Sequence, residues 1–121
     1  MGLDMYAFAT DENPSSPVDF TASAPTEIHY WRKHPNLHGW MRQLYRAKGG
    51  TDESFNCTNV QLTNDDLRQL EADIKADQLP HTEGFFFGAS DGTEMEDDLG
   101  FVAKARAALA ENRTVYYSSW W

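Results

Sequence analysis

From Leu3 to Ala9 the chain reads LDMYAFA, an alternation with aromatic residues that predicts a first strand. The next stretch, TDENPSSPVDFTASAPT, holds three prolines, several Ser and Thr and few large apolar residues, so residues 10–26 are predicted as a long loop. EIHYWR then reads as a second strand, with Ile28, Tyr30 and Arg32 on one face and His29, Trp31 and Lys33 on the other. A helix starts near Pro35, which suits a first-turn position. Leu37, Trp40, Met41, Leu44 and Tyr45 recur at helical spacing and should face the core. His38, Arg42 and Arg46, four apart, form a ridge beside that face. Gly49-Gly50 ends the helix.

Beyond it, TDESFNCT reads as a turn or loop and NVQL as a short strand. Thr63 with Asp66 predicts an N-cap, Leu67, Leu70 and Ile74 a buried stripe, and Leu79-Pro80 the close of a second helix. EGFFFGAS, apolar and bounded by glycines, predicts a central strand. Thr93 with Glu96 predicts a capping box for a third helix, whose acidic first turn suits the helix dipole. Met95, Leu99, Val102 and Leu109 share one face of that helix, and Arg106 falls within the same stripe. TVYYSSWW is the last predicted strand. The expected fold is a single α+β domain over residues 1–121, a mixed sheet of about five strands with three helices packed on it.

The chain has 121 residues, enough for one domain with a hydrophobic core of its own, and 40% apolar content argues against disorder. Ten basic against nineteen acidic residues give a formal charge of −9. Such a surface repels nucleic acid and anionic lipid in general, so neither is an expected partner, and a small anion must enter through a local patch. An acidic surface also suits a basic groove on a host protein, which makes host inhibition a second kind of partnership. The single cysteine, Cys57, excludes an internal disulfide and fits a reducing cytoplasm. MGLDMYAFAT lacks the basic start and apolar core of a signal peptide, and no apolar run spans a bilayer, so a cytoplasmic location is expected.

One local patch exists. Residues 27–48 carry Arg32, Lys33, Arg42, Arg46 and Lys48, half of all Lys and Arg, with three of the four histidines. Arg32, Lys33, Arg42 and Arg46 with His38 can hold an anion, while Tyr30 and Trp31 stack on a base. The plainer account is a solvated helix face whose cations pair with surplus carboxylates. His29, His34 and His38 invite a metal, but Pro35 biases His34 out of the helix and no second cysteine or H-E-x-x-H motif helps, so no metal and no cofactor is expected. Cys57 with His38 or His81 as base offers a small hydrolase or transferase as the alternative. A lone cysteine is more often a small buried hydrophobe. Asp4, Glu27 and Asp91 stand near predicted strand ends, and a carboxylate-pair hydrolase would need two of them to converge. Trp120-Trp121 must be covered by folding back onto the sheet or by a partner; folding back is expected for Trp120, Trp121 is left open, and a homodimer or a structural homo-oligomer is raised. The residues favour a binding protein over an enzyme.

The strings MGLDMY, YWRK with LHGW, FNC, LPHTEGFFFG and YYSSWW together resemble a group of small uncharacterised proteins of bacteriophages, prophages and bacterial genomes. Gly2, Leu3, Asp4, Met5, Tyr6, Tyr30, Trp31, Arg32, Lys33, His38, Trp40, Cys57, Gly84, Phe85, Phe86, Phe87, Gly88 and Trp120 carry the resemblance, which spans nearly the whole chain. It implies a phage-type context and no settled activity. This chain is shorter and more acidic than some members, and its long loop departs most. Members sometimes carry a kinase-like label, but no G-x-x-x-x-G-K-[ST] loop or kinase signature is present.

Overall fold

A computed structural model describes residues 2–82 and 94–121. Its elements are β1 (Asp4–Thr10), β2 (Thr26–Arg32), α1 (Pro35–Ala47), β3 (Val60–Leu62), α2 (Asn64–Lys75), α3 (Met95–Ala110) and β4 (Thr114–Trp120). The class is α+β. One sheet of four strands runs in the order β2-β1-β4-β3, and every neighbouring pair is antiparallel. The expected mixed sheet is therefore corrected to an antiparallel one among the described residues. Its cause is the pair of helices, α2 and α3, between β3 and β4: they pack on each other and return the chain to the end it left. The strand expected at residues 83–90 lies outside the described residues, as does Thr93.

Alternation in β1 works as predicted. Met5, Ala7 and Ala9 are buried, while Asp4, Tyr6 and Phe8 are half-buried on the opposite face. In β2, His29 and Trp31 point into the core. A bulge intervenes, because Ala7 lies opposite His29 but Phe8 lies opposite Glu27. Ile28 is the extra residue, so Glu27 rather than Ile28 shares the outer face with Tyr30 and Arg32. Lys33 leaves the strand with φ +57 and stays exposed, its amide donating to the Leu3 carbonyl at 2.8 Å.

α1 buries Leu37, Trp40, Met41 and Tyr45, and Leu44 is half-buried. Gly49, at φ +97, turns the chain away after it. α2 opens on the predicted capping box. Thr63 Oγ1 accepts from the Asp66 amide at 3.2 Å, and Asp66 Oδ2 accepts from the Thr63 amide at 2.9 Å. The helix closes at Lys75, before Leu79-Pro80, because Asp77 takes a left-handed conformation (φ +55) and Gln78 N–H returns to the Asp73 carbonyl.

α3 keeps Val102 of the predicted stripe fully buried, with Leu99 and Leu109 packed at its border, and shifts the centre of the buried face. Its buried residues are Asp98, Phe101, Val102, Ala105 and Ala108. Met95 is exposed, Leu99 and Leu109 are half-buried, and Arg106 reaches across to Glu71 of α2 at 2.9 Å. The helix is rotated from its apolar stripe because Asp98 has buried donors to meet, while the small Ala105 and Ala108 permit close approach. One apolar cluster joins the inner residues of all four strands to the three helices.

The opposite face of the sheet carries a row of rings. Tyr30 lies 5.2 Å from Tyr6, Tyr6 5.8 Å from Phe8, Phe8 5.4 Å from Tyr116, and Tyr116 5.1 Å from Phe20 of the long loop, centroid to centroid.

Candidate functional site: a cleft at the Asp4 end of the sheet

The residues expected to hold a ligand fall into separate groups. Trp31 is 4% exposed; its Nε1 donates to Asp98 Oδ1 at 3.1 Å and its ring packs edge-on to Phe101. Its stacking role is corrected, because a ring so enclosed has no face for a ligand. His38, at 1%, is also core. Burial, and then the Arg42 charge, pull its imidazole down to about 4. Burial pushes the Tyr117 hydroxyl well above its ordinary value. At neutral pH a neutral phenol and a neutral ring therefore share a hydrogen bond between the Tyr117 hydroxyl and His38 Nδ1, over 2.7 Å. Arg42 is half-buried with Nη2 3.4 Å from the Glu53 carbonyl, and Arg46 is exposed in the last turn of α1. The ridge of His38, Arg42 and Arg46 is thus no continuous outer edge.

Tyr30, Arg32 and Lys33 remain together, at one end of the open sheet face. Asp4 of β1 lies opposite Arg32 of β2 on one side and opposite Trp120 of β4 on the other. Opposed residues in an antiparallel pair share a face, so the register places a carboxylate between a guanidinium and an indole. Tyr30 OH donates to Asp4 Oδ1 at 2.6 Å, and Arg32 Nε stands 4.0 Å from the same oxygen. The neighbouring carboxylate raises the Tyr30 hydroxyl, so it stays a donor. Gly2 closes the end: a Cβ there would lie 3.3 Å from Lys33 Cε and 3.4 Å from Arg32 Nη2, so both cationic side chains fold across it. Gly2, Asp4, Arg32, Trp120 and Trp121 line a cleft of about 410 Å³. Trp120 is 66% exposed, which corrects its expected folding back; Trp121 is the ring that packs against the core.

Trp121 is fixed from the FNC stretch. Its amide donates to Asn56 Oδ1 at 3.0 Å, its carbonyl accepts from Asn56 Nδ2 at 2.8 Å, and its Nε1 donates to the Phe55 carbonyl at 3.2 Å. Phe55 (φ +48) and Cys57 (φ +60) take left-handed conformations around Asn56, and the Cys57 amide donates to Ser119 O at 2.8 Å. MGLD, YWRK, FNC and SSWW therefore converge on one end of the sheet. Cys57 itself is exposed, with Sγ 3.6 Å from Asn56 Oδ1. No hydrogen bond joins it to His38, whose Nδ1 is taken by Tyr117.

Another polar cluster lies under α3. His34 Nε2 is 2.8 Å from Asp98 Oδ2, and Glu94 Oε1 stands 4.0 Å from His34 Nδ1. The adjoining cavity, about 60 Å³, has room for water-sized occupants only. Among the described residues no group of three His, Cys, Asp or Glu is placed to hold a metal ion, and no helix is long and apolar enough to cross a membrane.

Sequence reasoning missed Asp4, Trp120 and Trp121 as cleft walls, and Asp98 as the anchor of Trp31. Asp4 and the tryptophans were visible as singular residues, but only strand register joins them. No protein-family model, curated protein or solved structure matches the chain.

Proposed function

We propose that the protein binds a small anionic, aromatic ligand of the nucleotide class in the cleft at Asp4, within the cytoplasm of a phage-infected or prophage-bearing cell. One observation carries this reading: the sheet register sets the exposed Trp120 ring and the Arg32 guanidinium on either side of Asp4. Trp120 supplies the face on which a base stacks. Arg32 offers a planar fork to phosphate, and Lys33 adds a point charge beside it. Asp4, held by Tyr30, accepts from a ligand hydroxyl or amino group. Arg32 and Lys33 outweigh the single carboxylate, which makes this end locally favourable to an anion on a chain of charge −9. The cytoplasmic, phage-type setting rests on the sequence resemblance alone.

Binding rather than turnover is the reading because His38, the base expected to serve Cys57, is buried in the core and hydrogen-bonded to Tyr117. Native mass spectrometry of the purified protein, with a thermal-shift panel of mononucleotides and inorganic phosphate, tests the reading. A retained small mass, or an unfolding temperature that rises with nucleotide concentration, supports it. A bare chain unmoved by the whole panel contradicts it and turns attention to a macromolecular partner.

A further inference from the structure

On the far side of the sheet from the Asp4 cleft, three titratable groups form a chain that the binding reading does not use. His29 projects from β2 toward α3, its ring 4.5 Å from Trp31 and 5.7 Å from Phe101, centroid to centroid. Its Nε2 lies 3.0 Å from Asp97 Oδ2 and its Nδ1 lies 3.2 Å from Lys104 Nζ. Asp97 and Lys104 stand two helical turns apart on α3 and so grip the ring from opposite ends. Between them is Gly100, where a Cβ would meet nothing within 4 Å. The resulting cleft, about 410 Å³, is lined by His29, Glu96, Asp97, Gly100 and Lys104.

The hydrogen-bond inventory sets the tautomer. An ammonium only donates, so His29 Nδ1 accepts from Lys104, and Nε2 carries the proton that Asp97 accepts. The order is carboxylate, imidazole, amine: the arrangement that activates a nucleophile, with a lysine in the nucleophile's place. The packed rings hold the imidazole, while Lys104 and Asp97 are exposed to incoming molecules.

We infer that Lys104 is a nucleophilic amine that condenses with carbonyl compounds in this cleft, with His29 as its base and Asp97 as the positioning residue. His29 takes one proton from the Lys104 ammonium. The freed nitrogen then bonds to the carbonyl carbon. The carbonyl oxygen leaves as water, carrying away two of the three ammonium protons, one of them relayed through His29. The protonated imine keeps the third proton and the positive charge, so no oxidant or reductant is consumed. Glu96 and Asp97 make the mouth of the cleft acidic, which selects neutral or cationic aldehydes and ketones. This site is therefore separate in chemistry as well as in place from the anion cleft.

Propionaldehyde with cyanoborohydride traps the imine as a stable alkyl group, and peptide mass mapping reports each lysine. In the wild-type chain Lys104 should label about tenfold faster than the well-exposed Lys75, a modest gain for a positioned base. Asp97→Asn supplies the decisive sign. Asp97 stands two helical turns from Lys104, so for an ordinary surface lysine its removal leaves labelling unchanged or slightly faster. Removing it from a relay weakens the base and slows labelling. The relay account expects Lys104 to slow in Asp97→Asn while Lys33 and Lys75 in the same molecules keep their rates, with an unchanged circular-dichroism spectrum reporting an intact fold. Equal labelling of Lys104 and Lys75 in the wild type, or unchanged or faster labelling of Lys104 in the variant, overturns the inference.

Discussion

Asn56 holds Trp121 by both of its backbone groups, donating from Nδ2 to the carbonyl at 2.8 Å and accepting at Oδ1 from the amide at 3.0 Å. A side-chain amide thus extends to Trp121 the pairing that the Cys57 amide makes with Ser119 O. Asn56→Ala should lower stability by about 1–3 kcal/mol, the worth of two partly buried hydrogen bonds. It should also loosen the Trp121 wall of the cleft. Urea denaturation, with tryptophan emission as a second readout, checks both. An unchanged midpoint would show that the clamp is ornamental.

Asp98 should be far less tolerant. It is 1% exposed and accepts from both Trp31 Nε1 and His34 Nε2. Asp98→Ala removes the acceptor from two buried donors at once and should cost about 3 kcal/mol or more. Asp97→Asn, on the exposed side of the same turn, should cost no more than about 1 kcal/mol, because the amide oxygen can still accept from His29 Nε2. Denaturation curves of the pair measure the contrast, and equal losses would contradict the assigned burial.

The pH dependence of stability has a defined sign. His38 is held neutral in the fold, with its pKa lowered to about 4 from the ordinary 6.5, chiefly by burial. Above about pH 6.5 the ring is neutral in both states and stability is full. As pH falls toward 4, the unfolded chain takes a proton that the folded chain refuses. The loss should be about 2 kcal/mol between pH 7 and pH 5. His38→Gln removes this titration and keeps a partner for Tyr117. Stability measured at both pH values should therefore drop less in the variant, and equal drops would exclude His38 as the source.

Much of the framework was legible because it is local. Alternation in LDMYAFA marked β1 as a strand, the spacing of Leu37, Trp40, Met41 and Tyr45 set the buried face of α1, and Thr63 with Asp66 set the start of α2. What failed depended on partners distant in sequence. The bulge at Ile28 arises from pairing with β1, and it alone moves Glu27 to the outer face. The stripe of α3 was misread because Asp98 is buried by donors from β2 and the chain just before α1, a reason that apolar periodicity cannot contain. Cations were legible as a cluster, yet Trp31 and Trp120 exchange roles: one indole is enclosed by α3, the other left open. The juxtaposition of Asp4, Arg32 and Trp120 follows from strand order β2-β1-β4, and no single segment encodes it.

Binding of an anionic aromatic ligand in the Asp4 cleft, through Trp120 and Arg32, is read out by titration calorimetry of a mononucleotide into wild type, Trp120→Ala, Arg32→Ala and Arg46→Ala. Saturable binding in the wild type should weaken about tenfold or more in Trp120→Ala, given that a stacked base is worth ~1–3 kcal/mol. It should weaken similarly in Arg32→Ala and persist in Arg46→Ala, whose side chain lies away on α1. Wild-type affinity retained in Trp120→Ala and Arg32→Ala, or no saturable heat for any nucleotide, would contradict the account.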